Sequence, residues 1–131
     1  MADPHPSEGE LAILRVLWAE RRPCSVREVH TALSRGKDTA YTTVLKMMTI
    51  MADKGLLRRD ATDRAHLYSA VHPEPVVQSA LVKDLLRKAF SGSAVQLVQN
   101  AIDAQSASAE DLDAIAKMIA DARKRRRERD A

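Results

Sequence analysis

Two stretches of helical period lie almost back to back between Ser25 and Gly55, and that spacing constrains the fold more than any other feature. SVREVHTALSR places Val26, Val29 and Leu33 on one side and stops at Gly36, and AYTTVLKMM starts at Ala40. Apolar residues recurring at three and four positions mark an amphipathic helix, so a third helix follows the second after only a few residues. Ser25 and Glu28 have the spacing of a capping box, with Cys24 and Val29 set for a hydrophobic staple. Upstream, Ser7 and Glu10 repeat the capping-box pattern, and Leu11, Leu14, Leu17 and Trp18 give a first helix its apolar face. ERRP ends that helix near Pro23.

After Gly55 the period changes. LLRRDA and AHLYSAV alternate as strands do, and ATDRA between them supplies turn residues. Helix, helix, helix, strand, strand is the order of a winged helix-turn-helix. HPEP then punctuates the chain and sets a boundary between a winged-helix head over 1–73 and a helical region over 74–131. In that second region VVQSALVKDLLRKAF puts Val77, Leu81 and Leu85 on one face, with Leu86 and Phe90 beside them. SGS breaks the helix, with Gly92 free to take the left-handed conformation. SAVQLVQNAI makes a short amphipathic segment, and Ser108 caps AEDLDAIAKMIADARKR, whose Leu112, Ile115 and Ile119 line one side. Helices this thin do not bury such stripes alone, so Val77, Leu81, Leu85, Leu112, Ile115 and Ile119 are expected to meet a second copy of the chain. The expected fold is mainly α, a winged helix-turn-helix head of three helices and a two-stranded wing, with a C-terminal helical dimerisation region.

Composition agrees with packed helices. Of 131 residues 45% are hydrophobic, 30% charged and only 3% aromatic, which suits helices better than a β-sandwich. No apolar run approaches the roughly 18 residues of a membrane span, and the N-terminus has no basic and apolar leader pattern. The single cysteine, Cys24, forms no internal disulfide, so a cytoplasmic location is expected.

Catalytic chemistry is missing from the sequence. There is no H-E-x-x-H, no G-x-S-x-G and no phosphate-binding glycine loop, and the chain has only four glycines. Cys24, His30 and His66 lack the tight spacing of a metal site, so neither a metal nor another cofactor is expected. His30 reads as a boundary residue beside the core, and Trp18 as core.

Charge points instead to a polyanion. The net charge is only +3, but Arg35, Lys37, Lys46, Lys54, Arg58 and Arg59 cluster against Asp38 and Asp53. A second basic run, Arg123 to Arg129, reads as a solvated, fraying helix end. On the third helix Tyr41, Val44, Met48 and Met51 form the inward face, and Thr42, Lys46 and Thr49 an outward stripe with Thr43 beside it. In a winged helix this element enters the major groove. Threonine hydroxyls and a lysine there bond phosphates or base edges, whereas the plainer reading is a solvated helix face. Arg58, Arg59 and Arg64 would let the wing grip neighbouring phosphates. A small-molecule-responsive regulator and a winged-helix module for an acidic protein partner are the alternative functions.

ELAILRVLW, SVREVHTAL, AYTTVLKMM followed by DKGLL, and DRAHLYSAV resemble the penicillinase-repressor family of bacterial regulators, of BlaI/MecI/CopY type. FSGSAVQLVQNAI and the SAEDLDAI helix are similar to that family's dimerisation region, so the resemblance covers nearly the whole chain. It implies a homodimer that binds an inverted repeat in double-stranded DNA and represses transcription. It also implies release when a membrane-bound sensor metallopeptidase triggers cutting in the dimerisation region, after an asparagine and commonly before phenylalanine. The matching place here is Asn100 followed by Ala101. Two positions of the third helix depart from the family: Ile50 stands where arginine is common, and Lys46 where threonine is common. The cysteine pairs of the copper-responsive branch are absent from the sequence.

Overall fold

The computed structural model describes residues 4–36, 38–61, 64, 66–104 and 106–131. Thr62, Asp63 and Ala65 of the ATDRA turn, and Lys37 of the basic run, lie outside the described residues. The chain divides into two compact units, Met1–Lys83 and Asp84–Ala131.

The first unit contains α1 (Glu8–Glu20), α2 (Val26–Ser34), α3 (Tyr41–Asp53), β1 (Leu57–Asp60) and β2 (Leu67–Ala70). It also holds the start of α4 (Glu74–Phe90), so the units divide inside that helix, beyond the HPEP break. Both expected capping boxes form: the Ser7 and Ser25 hydroxyls accept from Glu10 N and Glu28 N, and each glutamate accepts from the cap backbone in return. Such a cap is worth about 1 kcal/mol and fixes where each helix begins. α1 ends at Arg21, whose left-handed backbone lets its N–H close on Leu17 O at 3.1 Å.

Ile13, Leu14, Val29, Val44, Met48 and Met51 form the centre of the core, all within 1% of full burial. This accounts for α3 despite its β-branched residues. Their propensity cost is up to about 0.7 kcal/mol each, while full burial of one Val or Met contributes about 1.5–3 kcal/mol. Leu11 and Trp18 are only partly buried against this core, and Ile13 is buried outright, so the packed face of α1 is centred on Ile13 and Leu14. Gly9 marks a close approach of α1 to α3: a Cβ there would stand 2.9 Å from Met47 Cε.

Gly55, at φ +85°, turns the chain from α3 into the wing. Leu56 N bonds Met51 O at 2.9 Å and Gly55 N bonds Ala52 O at 3.2 Å, closing the helix end on a glycine. The wing is one antiparallel pair in the register Leu57↔Ala70, Arg58↔Ser69, Arg59↔Tyr68, Asp60↔Leu67. Cys24 adds an isolated bridge to Tyr68, with N–H···O bonds of 2.9 and 2.8 Å in the two directions. That bridge pins the segment before α2 to the wing. Burial of Cys24 pushes its thiol pKa up, keeping it in the unreactive protonated form.

The second unit contains the rest of α4, α5 (Ala94–Asp103) and α6 (Ala109–Asp130). Gly92 takes φ +82° between α4 and α5, Ser93 caps α5, and Ser108 forms a capping box with Asp111. α6 stays helical through the whole basic run to Asp130, because Arg, Lys and Glu are good helix formers. Neither α5 nor α6 has a buried residue. Among the described residues no helix is long and apolar enough to cross a membrane.

Candidate nucleic-acid interface

α3 presents one buried and one open face. Val44, Met48 and Met51 are fully buried, while Thr42, Thr43 and Lys46 are exposed. Thr49 is half-buried, and its hydroxyl donates to Leu45 O at 2.8 Å, leaving the oxygen lone pairs for any outside donor. Leu45 and Ile50 are also exposed, so apolar surface flanks the hydroxyls and Lys46. The helix starts at Ala40 with no side-chain cap. Its first turn therefore lacks a side-chain acceptor, and the positive end of its dipole lies beside Thr42 and Thr43, where an anion is favoured.

Tyr41 is not part of the inward face that its spacing suggested. It is 38% exposed, because as the first residue of α3 it lies beyond the end of the core. Its ring packs edge-on to His30 at 5.7 Å and 83°, with the Arg27 guanidinium 5.5 Å from its centroid. His30 in turn lies with Nε2 2.7 Å from Thr39 O, on the link between α2 and α3. Arg27 carries no signal in the sequence, since an exposed arginine at the start of a helix looks like any solvated residue.

In the wing the pleat separates two residues that the sequence groups together. Successive strand residues point to opposite faces, so Arg59 shares its face with Leu57 and its partner Tyr68, and Arg58 points the other way. Both are exposed, as is Arg64. Arg64, His66 and Tyr68 line a cleft with Arg27, Tyr41 and Leu45. Arg59's face is thus the one turned toward α3.

Lys54 has a different task from the other cations of the run. Its Nζ lies 3.1 Å from Oε2 of the buried Glu10, at the opposite end of α3 from Thr42. Trp18 donates from Nε1 to His72 O at 3.0 Å, which anchors the start of α4 and fits the structural role expected of it.

A family model described as penicillinase repressor matches residues 6–121. The transcriptional regulator BlaI of Mycobacterium tuberculosis, in two strains, is 34% identical over 113 residues, which is 86% of this chain and 80% of BlaI. The chain belongs to the penicillinase-repressor family. The penicillinase repressors are transcriptional regulators and not enzymes, in keeping with a sequence that lacks catalytic motifs. Among solved structures, a ZitR variant of Lactococcus lactis is 14% identical with a TM-score of 0.41, over 95% of this chain and 78% of its own. The adhesin competence repressor AdcR of Streptococcus pyogenes is 15% identical with a TM-score of 0.39, over 83% and 75%.

The remaining candidate residues from the sequence fall in the helical region. Val77 is buried within the chain itself, as is Ala80, so Val77 packs inside the protomer and does not stand free for a second copy. Leu81 and Ile115 are half-buried, while Leu85, Leu112 and Ile119 are 46%, 41% and 49% exposed. Val95 at 78% and Met118 at 63% are still more open, and the spacing of α4 and α6 alone did not single them out. Asn100 and Ala101 are exposed within α5, with Asn100 Nδ2 donating to Gln96 O at 2.9 Å.

Proposed function

We propose that this member of the penicillinase-repressor family binds an inverted-repeat operator in double-stranded DNA as a homodimer, in the cytoplasm, and blocks transcription there. The observation that carries the proposal is the division of α3, with Val44, Met48 and Met51 fully buried and Thr42, Thr43 and Lys46 open beside an uncapped helix start. An α-helix so held lays its outer face into the major groove. Lys46 and the threonines Thr42, Thr43 and Thr49 would contact base edges and phosphates, and Arg59 and Arg64 phosphates beside them, while Arg58, on the other face of its strand, would add charge without a close contact. Residues 1–73 would supply the DNA-binding part and 74–131 the dimer contact, through Leu81, Leu85, Leu112, Ile115 and Ile119 together with Val95 and Met118. In support, Leu85, Val95, Leu112, Met118 and Ile119 are 41–78% exposed in the single chain, a large apolar surface for α4 to α6 to leave open. Two recognition helices would then sit about 34 Å apart, or a multiple of that.

Release would follow cutting at Asn100–Ala101 after a membrane-bound sensor metallopeptidase responds to its signal. Proteases take their substrates as extended chain, and this bond lies in α5, so the last turns of α5 must unwind first. Gel shifts test the DNA reading. Lys46→Ala and Arg64→Ala should each weaken operator binding while the protein stays a dimer, and truncation after Asn100 should leave a head that binds poorly. Operator affinity equal to the parent in both substituted proteins would overturn the assignment of α3 and the wing.

A further inference from the structure

The cleft of about 450 Å³ between the start of α2, the start of α3 and the wing is lined by two arginines, Arg27 and Arg64, with His66 and Tyr41. Among the described residues no carboxylate lines it. Elsewhere in the protein cations near acids are neutralised: Arg22 by Glu28 at 2.7 Å, Lys54 by Glu10 at 3.1 Å, and Lys88 by Asp84 at 2.9 Å. No such partner among the described residues lies within ion-pair distance of Arg27, whose guanidinium instead lies 5.5 Å from the Tyr41 ring centroid. A cation–π contact of that kind holds the guanidinium without consuming its N–H donors. Tyr41 is itself steadied, by His30 at 5.7 Å, and His30 by Thr39 O at 2.7 Å. The chain of contacts from Thr39 to Arg27 therefore holds a guanidinium, a group with five N–H donors, in the lining of the cleft.

We propose that this cleft seats one backbone phosphate of the bound DNA, held between Arg27 and Arg64. The proposal rests on the DNA-binding reading of α3 and adds a contact from α2. A guanidinium matches the two-oxygen edge of a phosphate, and an oriented one loses less entropy on binding than a free one. DNA is the source of the phosphate because the cleft opens next to Thr42, which directly follows Tyr41 on the face that meets the groove. Arg27 is thus a phosphate-binding residue, and Tyr41 is its positioning residue.

The test uses full-length protein and operator duplex, with affinity measured by fluorescence anisotropy across a salt series. Arg27→Ala should weaken binding about tenfold and reduce the slope of log K against log salt by about 1. Tyr41→Leu, which keeps Arg27 but frees it, should weaken binding less and leave the slope nearly unchanged. Arg27→Lys should restore the slope and only part of the affinity. If both arginines hold one phosphate, the Arg27→Ala, Arg64→Ala double substitution should cost less than the sum of the single ones. Unchanged affinity and slope in Arg27→Ala, with Lys46→Ala still weakened, would overturn the phosphate seat and leave the DNA-binding reading intact. Were Lys46→Ala unaffected as well, the DNA-binding reading itself would fall. Additive losses in the double substitution would contradict a shared phosphate.

Discussion

Lys54 Nζ lies 3.1 Å from Glu10 Oε2, so the end of α3 is tied to the first turn of α1. Glu10 also accepts from Ser7 N at 2.8 Å, completing the α1 capping box. Its burial raises the carboxyl pKa, but the Ser7 N–H and the Lys54 ammonium outweigh that and hold it below the ordinary carboxylate value of 4.5. A depressed folded-state pKa means stability that is present above the unfolded value and lost as pH falls through the folded one.

Glu10→Gln is therefore expected to destabilise the head by about 1 kcal/mol near neutral pH, read from urea unfolding. The gap to the parent protein should shrink as pH is taken below 4.5, where the parent's own carboxylate begins to protonate. Lys54→Ala should cost less than that, because more than half of the lysine side chain is exposed and the pair is partly screened. The salt dependence of DNA binding should not change in Lys54→Ala, in contrast to Lys46→Ala.

Trp18 is the sole tryptophan, and its indole N–H holds His72 O at 3.0 Å. Trp18→Phe keeps most of the ring's packing and removes the donor, so thermal unfolding should report a loss of about 1 kcal/mol. Operator affinity at a temperature where the variant is fully folded should match that of the parent.

The two arginines of β1 should differ. Arg59 shares the strand face of Tyr68, beside the cleft next to α3, and Arg58 faces away. Arg59→Ala should lower the salt slope of operator binding by about 1, and Arg58→Ala should change it by much less. Equal losses would mean that the DNA backbone reaches both faces of the strand.

Helicity should protect the expected cutting place. Ser93 caps α5, its hydroxyl accepting from Gln96 N at 3.2 Å. Removing the cap in Ser93→Ala costs about 1 kcal/mol of local stability, which corresponds to roughly a fivefold larger unwound population. Limited proteolysis followed by mass spectrometry should then find cutting near Asn100–Ala101 accelerated by a similar factor, with the head's unfolding midpoint unchanged.

Much of this fold is legible in the sequence because its signals are local. Ser7 with Glu10 and Ser25 with Glu28 announce their helices within four residues, Gly55 closes α3, and the alternation of LLRRDA and HLYSAV announces the two strands. What escaped depends on contacts distant along the chain. The Cys24–Tyr68 bridge is a single pair with no period to reveal it. Tyr41 has the spacing of a core residue, yet it lies at the helix end where the core has stopped, and packs on His30 and Arg27 instead. Val77 has the spacing of a dimer residue but is buried within the protomer. Of the DNA-facing candidates, Thr42, Thr43 and Lys46 stand where helical period put them, while the difference between Arg58 and Arg59 needed the strand register.

In the proposed assembly two copies of α3 read DNA related by two-fold symmetry. The most direct test is the set of sequences that the full-length protein enriches from a library of random duplexes. Two-fold reading predicts an inverted repeat whose half-site centres are about 10 base pairs, or a multiple of that, apart, and loss of tight binding when one half is scrambled. Enriched sequences without dyad symmetry, or undiminished binding to a single half-site, would contradict it.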